Sequence, residues 1–253
     1  MDLGLRGLKA LVTGGSKGIG RATAELFASE GAAVSICARD PAGVAAAVAA
    51  LEAKGVPAFG RALDVADKAA LEGWVAASAE ALGGIDILVA NVSALAVQNE
   101  EEAWRREFEV DMLHTVRSLG AALPWLERSS AAAVTIVSSV SGREVDFTGP
   151  AYGATKAALI HYAQRMAFEL APKKVRVNAV SPGNVYFEGG IWQWIERHDP
   201  ALFARALALN PSGRMATAEE IARGIVFLSA PVSSFTMGTN LVIDGALTRG
   251  VQL

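Results

Sequence analysis

Tyr152 and Lys156 stand four residues apart in a stretch, 151–170, whose apolar residues recur with a helical period, so the two side chains share a helix face. A free phenol has a pKa of about 10, too high for a base near neutrality. A lysine ammonium beside it stabilises the phenolate and is expected to lower that value. Such a pair suits the movement of a proton to or from an alcohol or carbonyl oxygen during hydride transfer. A second feature lies near the start, where Thr13, Gly14, Gly15, Ser16, Lys17, Gly18, Ile19 and Gly20 join a short apolar run to a helical pattern. Glycines there let the chain turn sharply and approach a pyrophosphate, which the helix N-terminus behind them attracts. Arg39 follows the second apolar run, and Lys17 adds a cation inside the glycine turn. A guanidinium suits bidentate contact with a ribose 2′-phosphate, so NADP(H) is expected in preference to NAD(H).

The elements that must position these groups alternate along the chain. Short apolar runs at 8–12, 33–38, 58–62, 85–90, 133–138, 175–180 and 241–243 read as strands. Helical patterns lie between them at 18–29, 41–53, 68–82, 101–126 and 151–170. Asp40 followed by Pro41 reads as an N-cap and first-turn proline, and Thr217 with Glu220 as a capping box. Residues 188–209 look helical but are interrupted at Pro200. This alternation predicts an α/β protein, a Rossmann-type doubly wound parallel sheet of about seven strands with helices on both faces. No linker composition divides residues 1–253, so one domain is expected.

The spacing T-G-x-x-x-G-x-G resembles that of the short-chain dehydrogenase/reductase family, and the resemblance extends over almost the whole chain. Tyr152 through Lys156 matches the family's Tyr-x-x-x-Lys, and Ser139 lies thirteen residues before the tyrosine, as the family's catalytic serine does. The resemblance implies that Ser139 holds the substrate oxygen and that Lys156 also binds the nicotinamide ribose. It places Asp64 and Val65 on the adenine, and Ala38 where NAD-using members carry an aspartate. Gly14, Ser16, Lys17, Gly18, Ile19, Gly20, Arg39, Asn91, Pro182, Gly183 and Val185 complete the implied cofactor site. Residues 184–215 correspond to a mobile substrate lid, with Gly189 and Gly190 as part of its hinge. The lid carries Phe187, Ile191, Trp192, Trp194, Ile195 and Phe203, which points to an apolar or aromatic substrate or to packing of the lid on the body. A 3-oxoacyl thioester is a further candidate, although Lys173, Lys174 and Arg176 are the only basic group that could greet an acidic carrier. Membership also implies a homotetramer or homodimer.

Two positions depart from the family pattern. Ser93 replaces a glycine after the fourth strand, and Asp111 falls where the family has a catalytic asparagine. Ionised Asp only accepts hydrogen bonds, whereas Asn also donates, so Asp111 would support the Lys156 cation and reorganise the proton relay. These departures give the alternative reading some basis: a nucleotide-binding sensor or scaffold with little turnover. The remaining residues invite blander readings. Cys37 lies in an apolar run and is expected to be an inert core thiol. His114, His161 and His198 lack metal-ligand spacing and are expected to be surface or packing residues, so no metal is expected. Glu100, Glu101 and Glu102 read as a solvated helix start. The chain is 52% hydrophobic and 19% charged with a formal net charge of −3. That balance disfavours nucleic acid and anionic membranes as partners. No signal segment is evident near the N-terminus, and no apolar run is long enough to span a bilayer, so a cytoplasmic protein is expected.

Overall fold

The computed structural model describes residues 2–250. Seven strands form one parallel sheet: β1 (Lys9–Thr13), β2 (Ala33–Ala38), β3 (Ala58–Ala62), β4 (Ile87–Ala90), β5 (Ala133–Val137), β6 (Arg176–Pro182) and β7 (Asn240–Ile243). Their order is β3-β2-β1-β4-β5-β6-β7. The direction of winding reverses between β1 and β4, which opens a crevice at the carboxyl ends of the strands. This is the Rossmann-type doubly wound sheet expected from the alternating pattern. Strand ends differ from the sequence expectation by one or two residues, because apolar runs continue into connections whose side chains remain buried.

Helices cover both faces. On one side α1 (Gly18–Ser29), α2 (Pro41–Glu52) and α9 (Ala218–Ser229) pack on Val12, Ile36 and Val89. On the other, α3 (Lys68–Leu82), α5 (His114–Leu126) and α6 (Pro150–Leu170) pack on Leu11, Leu88 and Ile136. The predicted caps form. Asp40 accepts from the N–H groups of Ala42 and Gly43, and Thr217 and Glu220 close a capping box. Both carboxylate oxygens of Asp40 are thereby engaged, and Arg39 has no ion-pair partner among the described residues.

The long helix expected over 101–126 is interrupted. It consists of α4 (Glu101–Glu107), a π-helical turn (Phe108–Leu113) and α5. A π turn inserts one extra residue per turn, and such turns collect at functional sites. Here it carries Asp111. The helical stretch after Gly190 divides at Asp199 and Pro200 into α7 (Ile191–His198) and α8 (Pro200–Leu209), since proline cannot continue a preceding helix.

Candidate active site

The crevice is a cleft of about 1580 Å³, more than a drug-sized ligand needs and enough for a dinucleotide with a small substrate. At its floor Gly14 has φ +70° and Gly20 packs so closely that an added Cβ would lie 2.2 Å from the Gly14 carbonyl oxygen. Only glycine fits there. Asn91 secures the turn, its amide donating to the Thr13 carbonyl at 3.0 Å while its own N–H donates to Thr13 Oγ1 at 2.9 Å. Gly14, Ser16, Lys17, Ile19, Arg39, Asp64, Val65, Asn91, Pro182, Gly183 and Val185 all line the cleft. Gly18 and Gly20 do not. Gly20 is buried behind the turn, and the Phe187 ring covers Gly18. They shape the turn from behind its surface. Ser93 is accommodated by donating nothing inward; its Oγ accepts from the N–H of Leu95.

Ser139, Tyr152 and Lys156, the expected catalytic residues, meet at one cleft. Ser139 leaves the carboxyl end of β5, and Tyr152 and Lys156 project from α6 into the same cavity. Lys156 Nζ is 5.5 Å from the Tyr152 ring centre and donates to the Val137 carbonyl at 3.2 Å. Behind it, wholly buried, Asp111 Oδ2 lies 2.9 Å from the ammonium. Asp111 Oδ1 accepts from the Ala94 N–H at 2.7 Å, a bond that an asparagine oxygen could make equally well. Asp111 does not line the cleft; it touches Lys156, which does.

The electrostatics correct one expectation. Burial raises the Tyr152 phenol, Lys156 and Ser139 pull it down, and Asp111 and Glu107 push it up again, so it ends above its ordinary value. The carboxylates behind the lysine oppose the help the lysine gives, and burial outweighs it. A phenol held in this way is a proton donor at neutral pH. Burial alone would lower the Lys156 ammonium, but Asp111 and Tyr152 outweigh it and raise it.

Two residues given no functional weight from the sequence belong to this cluster. Glu107, one turn before Asp111, is fully buried; it accepts from the Ala96 N–H at 2.5 Å, and its carboxyl faces that of Asp111. Burial, then Asp111, pushes it up to about 7. The only local signal was a glutamate four residues before Asp111, which a solvated helix face explains equally well. His114 is also buried: Nδ1 donates to the Val110 carbonyl at 2.7 Å, and Nε2 accepts from Thr13 Oγ1 at 3.0 Å. It ties the π turn to the glycine turn, and burial lowers it to about 4, so the ring is neutral. Cys37 is buried and pushed up to about 12, as befits an inert thiol.

The outer wall is aromatic. Trp192, Trp194, Ile191, Ile195 and Phe187 line the cleft, while Phe203 packs against Tyr186 and Trp192. Phe147, from the loop after β5, meets Trp192 edge to face at 5.7 Å.

A family model described as Enoyl-(Acyl carrier protein) reductase matches residues 14–248. Isoepoxydon dehydrogenase patN of Penicillium expansum is 38% identical over 258 residues, covering 100% of this chain and 99% of its own. The chain belongs to the short-chain dehydrogenase/reductase family. Among solved structures, L-sorbose reductase from Gluconobacter frateurii with NADPH and L-sorbose aligns with TM-score 0.91 and 29% identity over 99% of this chain and 100% of that one. An NAD⁺-bound xylitol dehydrogenase aligns at TM-score 0.89 and 28% identity over 96% and 99%. This short-chain oxidoreductase therefore carries out hydride transfer involving a carbonyl or alcohol carbon.

Proposed function

We propose that this oxidoreductase transfers hydride between NADP(H) and a small ketone or secondary alcohol with an apolar or aromatic body. The observation that carries the reading is the convergence of Tyr152, Lys156 and Ser139 on one cleft that also holds Lys17 and Arg39, neither with an ion-pair partner among the described residues. The glycine cradle fits the dinucleotide, since a side chain at Gly20 would strike backbone. Gly14, Ser16, Ile19, Asn91, Pro182, Gly183 and Val185 hold the pyrophosphate and nicotinamide parts, Asp64 and Val65 the adenine end, and Arg39 with Lys17 the 2′-phosphate. When bound, the cofactor supplies or accepts the hydride. Tyr152 passes the proton, Ser139 holds the substrate oxygen, and Lys156 steadies the phenol and the ribose.

The lid, residues 184–215, closes over the substrate through Trp192 and its neighbours and excludes water. Arg176, which might have greeted an acidic carrier, is buried and donates to the carbonyls of Leu228, Ser229 and Ala230. Lys173 is paired with Glu127. A free small molecule therefore fits better than a carrier-bound thioester. No described helix is long and apolar enough to cross a membrane. A cytoplasmic homotetramer or homodimer of one-domain chains is the assembly we favour. The exposed Phe108, Phe168 and Phe235 support it as apolar surface that a partner copy would cover.

Fluorescence titration with NADPH and NADH, followed by turnover with a panel of cyclic, aromatic and aliphatic ketones, tests this reading. Tighter NADPH binding with turnover of any ketone is expected. Tight binding without turnover across the panel would instead mark a nucleotide-binding sensor or scaffold.

A further inference from the structure

Two buried carboxyl groups stand in line behind Lys156, on adjacent turns of one helix. Glu107 Oε2 and Asp111 Oδ2 are both buried and without a hydrogen-bond partner, although Oδ2 lies at ion-pair distance from the ammonium. Their carboxyl groups face one another within hydrogen-bonding reach. Two facing carboxylates are costly to charge together in a desolvated space, whereas one proton between them gives Glu107 Oε2 a partner and leaves Asp111 Oδ2 to the ammonium. The other oxygens are anchored by the backbone N–H groups of Ala96 and Ala94, which fixes both planes.

We propose that Glu107 and Asp111 share one proton and that this pair, through Lys156, replenishes the proton Tyr152 gives to the substrate oxygen. The inference rests on the oxidoreductase reading. In the reductive direction the carbonyl carbon gains a hydride from the reduced cofactor, its C=O π bond opens, and its oxygen takes the Tyr152 proton. A Lys156 N–H proton moves to the phenolate. The shared proton moves from Glu107 through Asp111 Oδ2 to the lysine, which leaves both carboxyls ionised until the pair is reprotonated. Solvent restores it at the loop holding Ala96, whose neighbours Leu95 and Val97 are about half exposed. One hydride and one proton are consumed for each carbonyl reduced, and the cofactor leaves oxidised.

The groups acting on Glu107 are few. Asp111 comes from its own helix, and Lys156 and Tyr152 from α6. The loop 91–97 carries no titratable side chain. In the loop after β5, Asp146 is held by Ser141 and Thr148, and Glu144 by the Gly250 N–H. The charge state of Glu107 is therefore set by its dyad partner and the lysine.

Glu107→Gln tests the proposal. The amide keeps an acceptor for Ala96 and a donor for Asp111, but cannot carry a proton onward. Two readouts are needed. Infrared difference spectra of the cofactor-free protein, titrated between about pH 5.5 and 8.5, are expected to show a protonated carboxyl band that disappears near the upper end and is missing in the variant. Steady-state kcat for ketone reduction by the wild type is expected to fall through the same region. In the variant that limb should vanish and kcat should drop roughly tenfold or more, as loss of a proton-transfer group does, with the NADPH Kd unchanged. A variant whose kcat and pH profile match the wild type would overturn the relay. A wild type lacking the band would overturn the shared proton. A wild type that shows the band and binds NADPH, yet reduces no carbonyl, would overturn the oxidoreductase reading and leave the carboxyl pair a structural one.

Discussion

Replacing Glu107 should change how stability depends on pH in a way that can be worked out beforehand. The folded protein raises Glu107 from an ordinary 4.5 to about 7, through burial first and Asp111 second. The folded state then binds this proton more tightly than the unfolded chain. The associated stability is fully present below about pH 4.5 and is lost as pH rises through about 7. At about 1.4 kcal/mol per pH unit the loss is on the order of 3 kcal/mol. His114 has the opposite sign. Burial lowers its imidazole from 6.5 to about 4, so stability is present above about pH 6.5 and is lost as pH falls through about 4. Over most of the acidic range the two slopes offset one another. Glu107→Gln should remove one and expose the other. Urea midpoints measured from about pH 4.5 to 7.5 should rise with pH in the variant more steeply than in the wild type, by an amount on the order of 3 kcal/mol across the window. Parallel curves would mean that Glu107 is ionised throughout the folded state, and the argument from its burial would fail.

Tyr152→Phe should retain NADPH binding, by titration, while ketone reduction becomes undetectable; normal turnover would remove the tyrosine from the proton path. Arg39→Asp should weaken NADPH by roughly ten- to a hundredfold, the worth of a charge-assisted contact, and leave NADH nearly unchanged. Equal losses would deny Arg39 the 2′-phosphate. Asp111→Ala leaves the buried Lys156 ammonium with only the Val137 carbonyl and should cost about 3–5 kcal/mol in chemical denaturation. A loss under about 1 kcal/mol would show that the pair is solvated. Gly20→Ala places a Cβ against the Gly14 carbonyl, so α1 must shift and NADPH binding should fall at least tenfold; wild-type affinity would refute the close packing of that turn.

Much of this protein is legible in one dimension. Apolar runs and helical periods state the order of elements because burial on both faces of a parallel sheet demands them. Asp40 and Thr217 cap helices by local hydrogen bonds that need no distant partner, and the Tyr152–Lys156 spacing is a property of a single helix. The glycine turn is legible as a local run of glycines between strand and helix, although Asn91, Ile36 and Phe187 from distant segments close against it. What the sequence could not decide are quantities set by several segments at once. Where the Tyr152 phenol settles depends first on its burial and then on Lys156, Ser139, Asp111 and Glu107 together, and Asp111 lies in a helix segment that winds as a π turn. That turn has no periodic signature. From the sequence alone His114 is expected to be a surface or packing residue and Glu107 draws no reading at all; both are buried once the tertiary structure closes around them. Burial in three dimensions, with the loss of water that comes with it, turned an ordinary glutamate into a group that holds its proton near neutrality.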